Sequence, residues 1–369
     1  MLYLLLTLLL FSLILTIINT ISLPKITQKN LSSDVSYPTV NLYIPLRNEE
    51  RHVESLIENL KKLTYPNLSI YLLDDGSTDN THALLKTFIR TDSRFTLLQG
   101  IELPKEWVGK VHACHQLSKH GDGEFALFMD ADVTIAPSTI EAMIEEFDQN
   151  TGLITGFPKN PVHGMLGHLL VPLQHFVVHF HLPVLLSNKT TYTAATAAHG
   201  AFMMFRRASY DRIGGHESVK NSLVEDVHIS RQVKKSGYRV KLSNITSLVS
   251  CDMYHSNREV WEGFAKNMFP GLGRSLSLVI VLSITYSLLY VAPLGLLLLS
   301  LSGVLPLVYM LPYVVGVLQK GTVDWATGQK WWLSFLMPFS AILMISLLWY
   351  STYLGMFKKG FSWKGRVYK

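Results

Sequence analysis

Apolar positions fall into three regimes along the chain. Residues 2–23 form a run with no charged side chain, long enough to cross a bilayer as a helix. From about residue 39 to 250, short all-apolar runs alternate with stretches in which apolar residues recur every three or four positions. From Leu276 to Met356 long apolar segments return. The middle regime predicts strands and amphipathic helices in alternation. Val53, Leu56, Ile57, Leu60 and Leu63 form one helix face, as do Ile140, Met143, Ile144 and Phe147 after Ser138. Strands are expected over 39–44, 69–73, 95–98 and 125–129, and again over 199–205. A helix is expected to open at Gly109, a short one to run over 207–213, and another from Glu225 to a stop at Gly237. Strand and helix in this order argue an α/β class with a doubly wound, mostly parallel sheet.

The strand ends carry the polar residues. The first predicted strand runs into Pro45, Arg47 and Glu49, the second into Asp74 and Asp75, and the fourth into Asp130 and Asp132. Open α/β sheets bind ligands outside the carboxyl ends of their strands. Residues i and i+2 of a strand point the same way, so a strand continuing past Met129 would aim Asp130 and Asp132 at one cation. Hard divalent cations take oxygen ligands, and Mg²⁺ is commonly shared between carboxylates and substrate phosphates. The same run, Asp130 to Thr134, also resembles the start of an aspartate-nucleophile phosphatase. That reading is weakened by the strand's position fourth in order and by the lack of a later Gly-Asp-x-x-x-Asp cluster. Dinucleotide binding is disfavoured because Pro45 and charged residues stand where Gly-x-Gly-x-x-Gly is required.

Composition adds the setting. Hydrophobic residues make up 48% of the 369, and the net charge is +6. Mean hydropathy is +0.23 and the sequence pI near 9.1. The apolar excess sits at the two ends, so a membrane protein with a water-soluble middle is expected. Basic residues flank the apolar runs, and no basic stripe interleaved with aromatics suggests nucleic acid. Cys114 and Cys251 are the only cysteines, too few for a disulfide framework or zinc spacing.

Four ordered motifs then carry a resemblance. They are Ile44-Pro45-Leu46-Arg47-Asn48-Glu49-Glu50, Leu72-Leu73-Asp74-Asp75-Gly76-Ser77-Thr78-Asp79, Gly109-Lys110-Val111-His112-Ala113-Cys114 and Phe128-Met129-Asp130-Ala131-Asp132-Val133. Together they resemble family-2 glycosyltransferases of the GT-A (nucleotide-diphospho-sugar transferase) fold. The resemblance implies a nucleotide-diphosphate sugar donor, first among them UDP-glucose, and a Mg²⁺ or Mn²⁺ ion. It implies that Asp75 reads the nucleoside base, with Pro45, Arg47 and Glu49 lining the same pocket. Asp132 would be the main metal ligand, Asp130 would lie near the ribose or the metal, and Lys110 would neutralise phosphate charge. Tyr210-x-x-Ile213-Gly214-Gly215-His216, the Gly109–Cys114 run and the Trp363–Tyr368 tail are most similar to bacterial members that glycosylate the carotenoid acid diaponeurosporenoate, and to hopanoid-associated relatives. The resemblance also marks Glu225 and Asp226 as catalytic, with Asp226 the base. An intact Glu225-Asp226 pair leans toward a hydroxyl acceptor, because a carboxylate acceptor needs no deprotonation. The implied reaction is inverting transfer of a hexose to a membrane lipid. A processive polysaccharide synthase is the alternative, disfavoured by the lack of Gln-x-x-Arg-Trp and by too few spans for a polymer channel. A non-catalytic nucleotide-sugar-binding membrane protein is a third reading, which retention of every acid argues against.

The remaining expectations concern the bilayer. No Lys or Arg precedes the first run and no small-residue cleavage site precedes Pro24, so 1–23 is expected to be an anchor rather than a cleaved signal. Lys25 and Lys29 would place the following catalytic domain, 36–255, on the cytosolic side of the cell membrane. The segment 162–187 carries five histidines among apolar residues; an interfacial helix is expected there rather than a His175–His179 metal pair. Residues 256–274, with Trp261 and Lys266, suit an amphipathic segment at headgroup level, either as an anchor or beside the acceptor. Within 275–357, residues 276–300 and 333–356 are expected to span, while Pro306 and Pro312 make the stretch between them incomplete or re-entrant. The basic tail, 358–369, is then expected on the cytosolic side.

Overall fold

The short apolar runs form the strands expected of them. In the computed structural model, which describes residues 2–28, 37–357, 361–363 and 366–368, β1 (Val40–Leu46), β2 (Leu68–Asp74), β3 (Phe95–Gln99) and β4 (Phe125–Met129) are parallel neighbours. With β6 (Thr151–Phe157), β7 (Phe202–Arg206) and β8 (Arg239–Asn244) they make a seven-stranded sheet of order β3-β2-β1-β4-β7-β6-β8. All five residues of β4 are buried, as expected of a strand covered on both faces. Strand β7 runs antiparallel to both its neighbours, so the sheet is mixed. That reversal has a consequence for the site. It pairs Met129, the end of β4, with Phe202, the start of β7, and so brings residues 199–201 to the strand end where Asp130 begins.

A separate two-stranded ribbon, β5 (Val133–Ile135) with β9 (Val249–Cys251), lies just beyond β4 in sequence. The sequence patterning missed it. Helices α2 (Glu50–Lys61), α3 (Thr81–Phe88), α4 (Gly109–Leu117), α5 (Thr139–Ile144), α8 (Val184–Lys189), α9 (Arg207–Arg212) and α10 (Glu225–Lys235) belong to the same compact unit, residues 23–159 with 184–252. Val53, Leu56, Ile57 and Leu60 are the buried residues of α2, the face their spacing predicts. The core of this unit gathers Tyr43, Val111, Phe128, Phe205, Tyr210, Ile229 and Val240.

The second unit comprises residues 1–22, 160–183 and 253–369. It holds α1 (Leu2–Ser22), α6 (Gly164–Leu170), α7 (Leu173–His181), α11 (Asn257–Gly271), α12 (Leu276–Tyr286), α13 (Ala292–Leu301), α14 (Leu311–Ala326) and α15 (Met337–Phe357), and an antiparallel pair, β10 (Phe361–Trp363) with β11 (Arg366–Tyr368). Three stretches among the described residues, Leu2–Ser22, Leu276–Leu301 and Trp331–Phe357, are long and apolar enough to cross a membrane. The stretch between the last two is not confined to its apolar residues. It continues as α14 through Lys320 and Asp324, a pair almost without exposure whose ammonium and carboxylate meet at 2.7 Å. Gln319 on the same helix accepts from Tyr290 at 2.9 Å and donates to Thr16 of α1 at 2.9 Å. The single interfacial helix expected over 162–187 is three short helices instead, separated at Pro172 and Pro183; proline removes a helix donor and crowds the preceding turn. His175 and His179 are buried on α7, with His179 Nδ1 bonded to the His175 carbonyl at 2.8 Å. Lys29, Lys358 and Lys359 lie outside the described residues.

Candidate active site

The site is built where β1, β2 and β4 end. Register pairs Leu46 with Asp74, so the loops after β1 and β2 emerge side by side. The Asp75 N–H donates to the Leu46 carbonyl at 2.8 Å. The Arg47 guanidinium donates to the carbonyls of Asp75 and, at 3.0 Å, Gly76. Gly76 takes a positive φ of 68°, which a side chain would oppose. Asn48 stitches the two loops: its N–H donates to Ser77 Oγ at 2.9 Å, and its side-chain oxygen accepts from the Thr78 N–H at 2.8 Å. Glu49 receives its own anchor, donating its N–H to Thr81 Oγ1 at 2.8 Å. Asp74 points inward, accepting from the Ser77 N–H at 3.0 Å and meeting His82 at 3.2 Å. It is a loop-fastening carboxylate.

The second half of the site forms around Lys110, the second residue of α4. Its ammonium lies 2.7 Å from Asp130, 3.4 Å from Glu225 and 3.3 Å from the Gly200 carbonyl. Burial works against this cation, but Asp130 and Glu225 hold its pKa well above the ordinary lysine value. Asp226, beside Glu225 at the start of α10, accepts from the Val227 N–H at 2.8 Å and from the Gly200 N–H at 3.0 Å. A helix N-terminus favours a carboxylate, yet loss of hydration and the neighbouring Glu225 outweigh that help and push Asp226 up to about 7.

Asp130 and Asp132 do not continue the strand direction. Strand β4 stops at Met129, and the chain turns so that the Val133 N–H donates to the Asp130 carbonyl at 3.3 Å before entering β5. Asp130 therefore faces Lys110, while Asp132 meets the Cys251 thiol of β9 at 3.5 Å. The two carboxylates still share one electrostatic neighbourhood. Dehydration, then Asp130, then Glu49 push Asp132 up to about 6. Three acids from two strand ends thus crowd one place, where Lys110 opposes their charge on Asp132. A donor set of closely placed carboxylate oxygens fits a hard divalent cation.

Three residues at this site carried no signal in the sequence. Gly200 gives its carbonyl to Lys110 and its N–H to Asp226. An added Cβ there would sit 3.3 Å from Glu225 Oε1 and 3.4 Å from both Lys110 Nζ and the Asp226 Cβ. His199 is buried next to it, and that burial pushes its imidazole down to about 4, so it stays neutral. Cys251 is one of only two cysteines in the chain, and the β5–β9 ribbon places it against Asp132. The Tyr210-to-His216 pattern has a structural outcome: Tyr210 and His216 are buried and bonded at 2.7 Å beneath the sheet. Trp261 and Lys266 lie on α11, in the other unit; Trp261 packs its ring 5.7 Å from that of Tyr350.

Residues 42–214 match the model of glycosyl transferase family 2. The chain is 23% identical over 254 residues to a 4,4'-diaponeurosporenoate glycosyltransferase of Staphylococcus aureus, covering 64% of this chain and 63% of that protein. It is 27% identical over 197 residues to a poly-beta-1,6-N-acetyl-D-glucosamine synthase of the same species, covering 53% of this chain and 45% of the synthase. The matches thus span less than two thirds of these relatives. Among solved structures, the mannosyltransferase PcManGT from Pyrobaculum calidifontis, in complex with GDP-Man and Mn²⁺, superposes with a TM-score of 0.55 at 16% identity, covering 97% of this chain and 100% of that one. The fold is GT-A. Asp226 lies twelve residues beyond the end of the family match at 214.

Proposed function

We propose that this chain, which carries a glycosyl transferase family 2 domain over residues 42–214, transfers a hexose from a nucleotide-diphosphate sugar to a lipid acceptor at a membrane, with inversion at the anomeric carbon. The observation that carries the reading is the meeting of Glu49, Asp130, Asp132, Lys110, Glu225 and Asp226 outside one end of the sheet. A glycosyl donor of this class leaves as a nucleoside diphosphate, so negative charge grows on the leaving group. Groups fixed where that charge develops lower the barrier most.

In this reading the nucleoside lies in the cleft between the β1 and β2 loops, with Asp75 toward the base and Pro45, Arg47 and Glu49 along the wall. Asp132, with Asp130, would hold Mg²⁺ or Mn²⁺, which supplies Lewis-acid neutralisation of the diphosphate. Lys110 is shared between Asp130 and Glu225 and can turn one of its N–H bonds to a phosphate oxygen. Asp226 takes the proton of the acceptor hydroxyl as that oxygen attacks the anomeric carbon. The Gly200 and Val227 N–H groups hold the base in place. UDP-glucose is the donor tested first, and a lipid alcohol is the acceptor favoured by the presence of a base. Three helices among the described residues that are long and apolar enough to cross a membrane, together with the relative named for a carotenoid acid, support a lipid over a soluble acceptor. The Staphylococcus synthase supports the polysaccharide alternative, but less than half of that protein is matched.

The test is transfer by the purified full-length protein in detergent. A panel of nucleotide sugars is offered with a membrane lipid extract and Mg²⁺ or Mn²⁺. One sugar is expected to be transferred to lipid, and chelation is expected to abolish transfer. Asp132→Ala is expected to lower it by several orders of magnitude while donor binding weakens. Nucleotide release that persists in Asp132→Ala would exclude the metal assignment.

A further inference from the structure

A groove of about 430 Å³ lies wholly within the second unit, lined by Met165, His168, Leu169, Trp332, Leu336 and Phe339. Its size is within the ~300–1,000 Å³ usual for small-molecule sites. Two helical segments build its walls. Met165, His168 and Leu169 stand at i, i+3 and i+4 of α6 and so face one way; Trp332 and Leu336 come from the 3₁₀ helix Trp331–Leu336, and Phe339 from the first turn of α15. The lining is almost entirely apolar, yet Met165 is 70% and Phe339 49% exposed.

One end of the groove is different. The His168 ring stacks on Trp332 with centroids 6.0 Å apart. His168 Nδ1 bonds to the Gly164 carbonyl at 2.7 Å, so it carries the proton there and Nε2 is an acceptor. Nε2 takes the Lys330 ammonium at 3.5 Å. Among the described residues that ammonium meets no carboxylate. Neither wall offers one: residues 160–183 and 325–357 contain no Asp or Glu, and the nearest acid in sequence, Asp324, is taken by Lys320. The exposed Trp331 and Trp332 adjoin this end, at the start of a stretch long and apolar enough to cross a membrane. Tryptophan at that level marks the boundary between headgroups and hydrocarbon.

We infer that this groove binds one anionic phospholipid of the surrounding bilayer, its phosphate on Lys330 and its acyl chain along Leu336, Phe339, Leu169 and Met165. A lipid is favoured because the site has one cationic end and a long apolar remainder whose far wall is itself part of a candidate span. An anionic headgroup is favoured because the cation lacks a counter-charge. The inference does not depend on the proposed transferase activity, since its readout is binding alone.

The probe is phosphatidylglycerol or phosphatidylcholine with brominated acyl chains, titrated into the full-length protein in detergent while tryptophan fluorescence is followed. Bromine quenches an indole it touches. In the unaltered protein phosphatidylglycerol is expected to quench at about fivefold lower concentration than phosphatidylcholine, the preference of roughly one lysine for an anionic lipid. Trp332→Phe should remove that high-affinity component. Lys330→Glu, at an exposed position, should equalise the two lipids, and Met165→Glu should weaken both. Melting temperatures of the three variants check folding. Equal quenching by the two lipids, a preference that survives Lys330→Glu, or a high-affinity component that survives Trp332→Phe would overturn the inference. So would a groove filled by an uncharged isoprenoid alcohol in preference to phosphatidylglycerol.

Discussion

Charged side chains are withdrawn from water in both units, and the two places treat them differently. On α14, Lys320 and Asp324 meet one to one at 2.7 Å with almost no exposure. At the strand ends, one ammonium, Lys110, is divided between Asp130 and Glu225, while Asp132 and Asp226 are left dehydrated and pushed up to about 6 and about 7. Matched charges neutralise each other and hold two turns of one helix in register. A surplus of carboxylates does not help the fold. It is tolerated where a cation, a proton or a substrate group completes it, which is how ionisable groups at functional sites commonly differ from structural ones.

The sharpest way to break this contrast is Asp226→Asn. If the surplus serves chemistry, removing the base should lower transfer by about 10²–10⁴-fold, read as initial rates at saturating donor. Stability should move the other way. The unfolded Asp ionises near pH 4, whereas the folded one holds its proton to about 7, so the cost of ionising it in the fold builds from about pH 4 to about pH 7 and persists above. Asp226→Asn should therefore melt no lower than the unaltered protein at pH 8, and its advantage should vanish near pH 4. Transfer by the unaltered protein should fall as pH drops below about 7, because the base must be ionised. A flat profile from pH 5 to 8, measured as kcat/KM, would remove Asp226 from the role.

Lys320→Met tests the other side of the comparison. It strands Asp324 in an apolar surrounding and should cost about 3–5 kcal/mol, seen as a lower melting temperature in detergent. Adding Asp324→Leu should recover most of that loss, because a matched pair is replaceable by packed apolar groups. If Lys320→Met is as stable as the unaltered protein, the pair is not the structural element described. A smaller effect is expected from Gly200→Ala. Its Cβ would press on Glu225, Lys110 and Asp226 at 3.3–3.4 Å, shifting the base by tenths of an ångström and lowering the rate by roughly tenfold, with melting little changed. An unchanged rate would mean that the Gly200 peptide does not position Asp226.

Much of this was legible before any coordinates. All-apolar runs bounded by turn residues gave β1 to β4 within a residue or two, and a 3.6-residue period gave α2 its buried face. Short-range chemistry of this kind is written in consecutive residues, because a strand's pleat and a helix's turn are local. Acids at successive strand ends could be gathered along one edge on paper, since parallel strands end on the same side. The position of α10, opening at Glu225, also followed from local pattern.

What the sequence could not decide is who faces whom across distant segments. The reversal of β7 sets Gly200 between Lys110 and Asp226, and nothing in a lone glycine announces that. The turn after Met129 parts Asp130 from Asp132, and a ribbon closed by residues more than a hundred positions apart brings Cys251 to the latter. The raised pKa values follow from that crowding and not from residue type: Asp226 is pushed up to about 7 because the fold dehydrates it beside Glu225. Local sequence chose the elements and most of the reactive groups; long-range pairing chose their partners, because dehydration and charge neighbours exist only once the chain has folded.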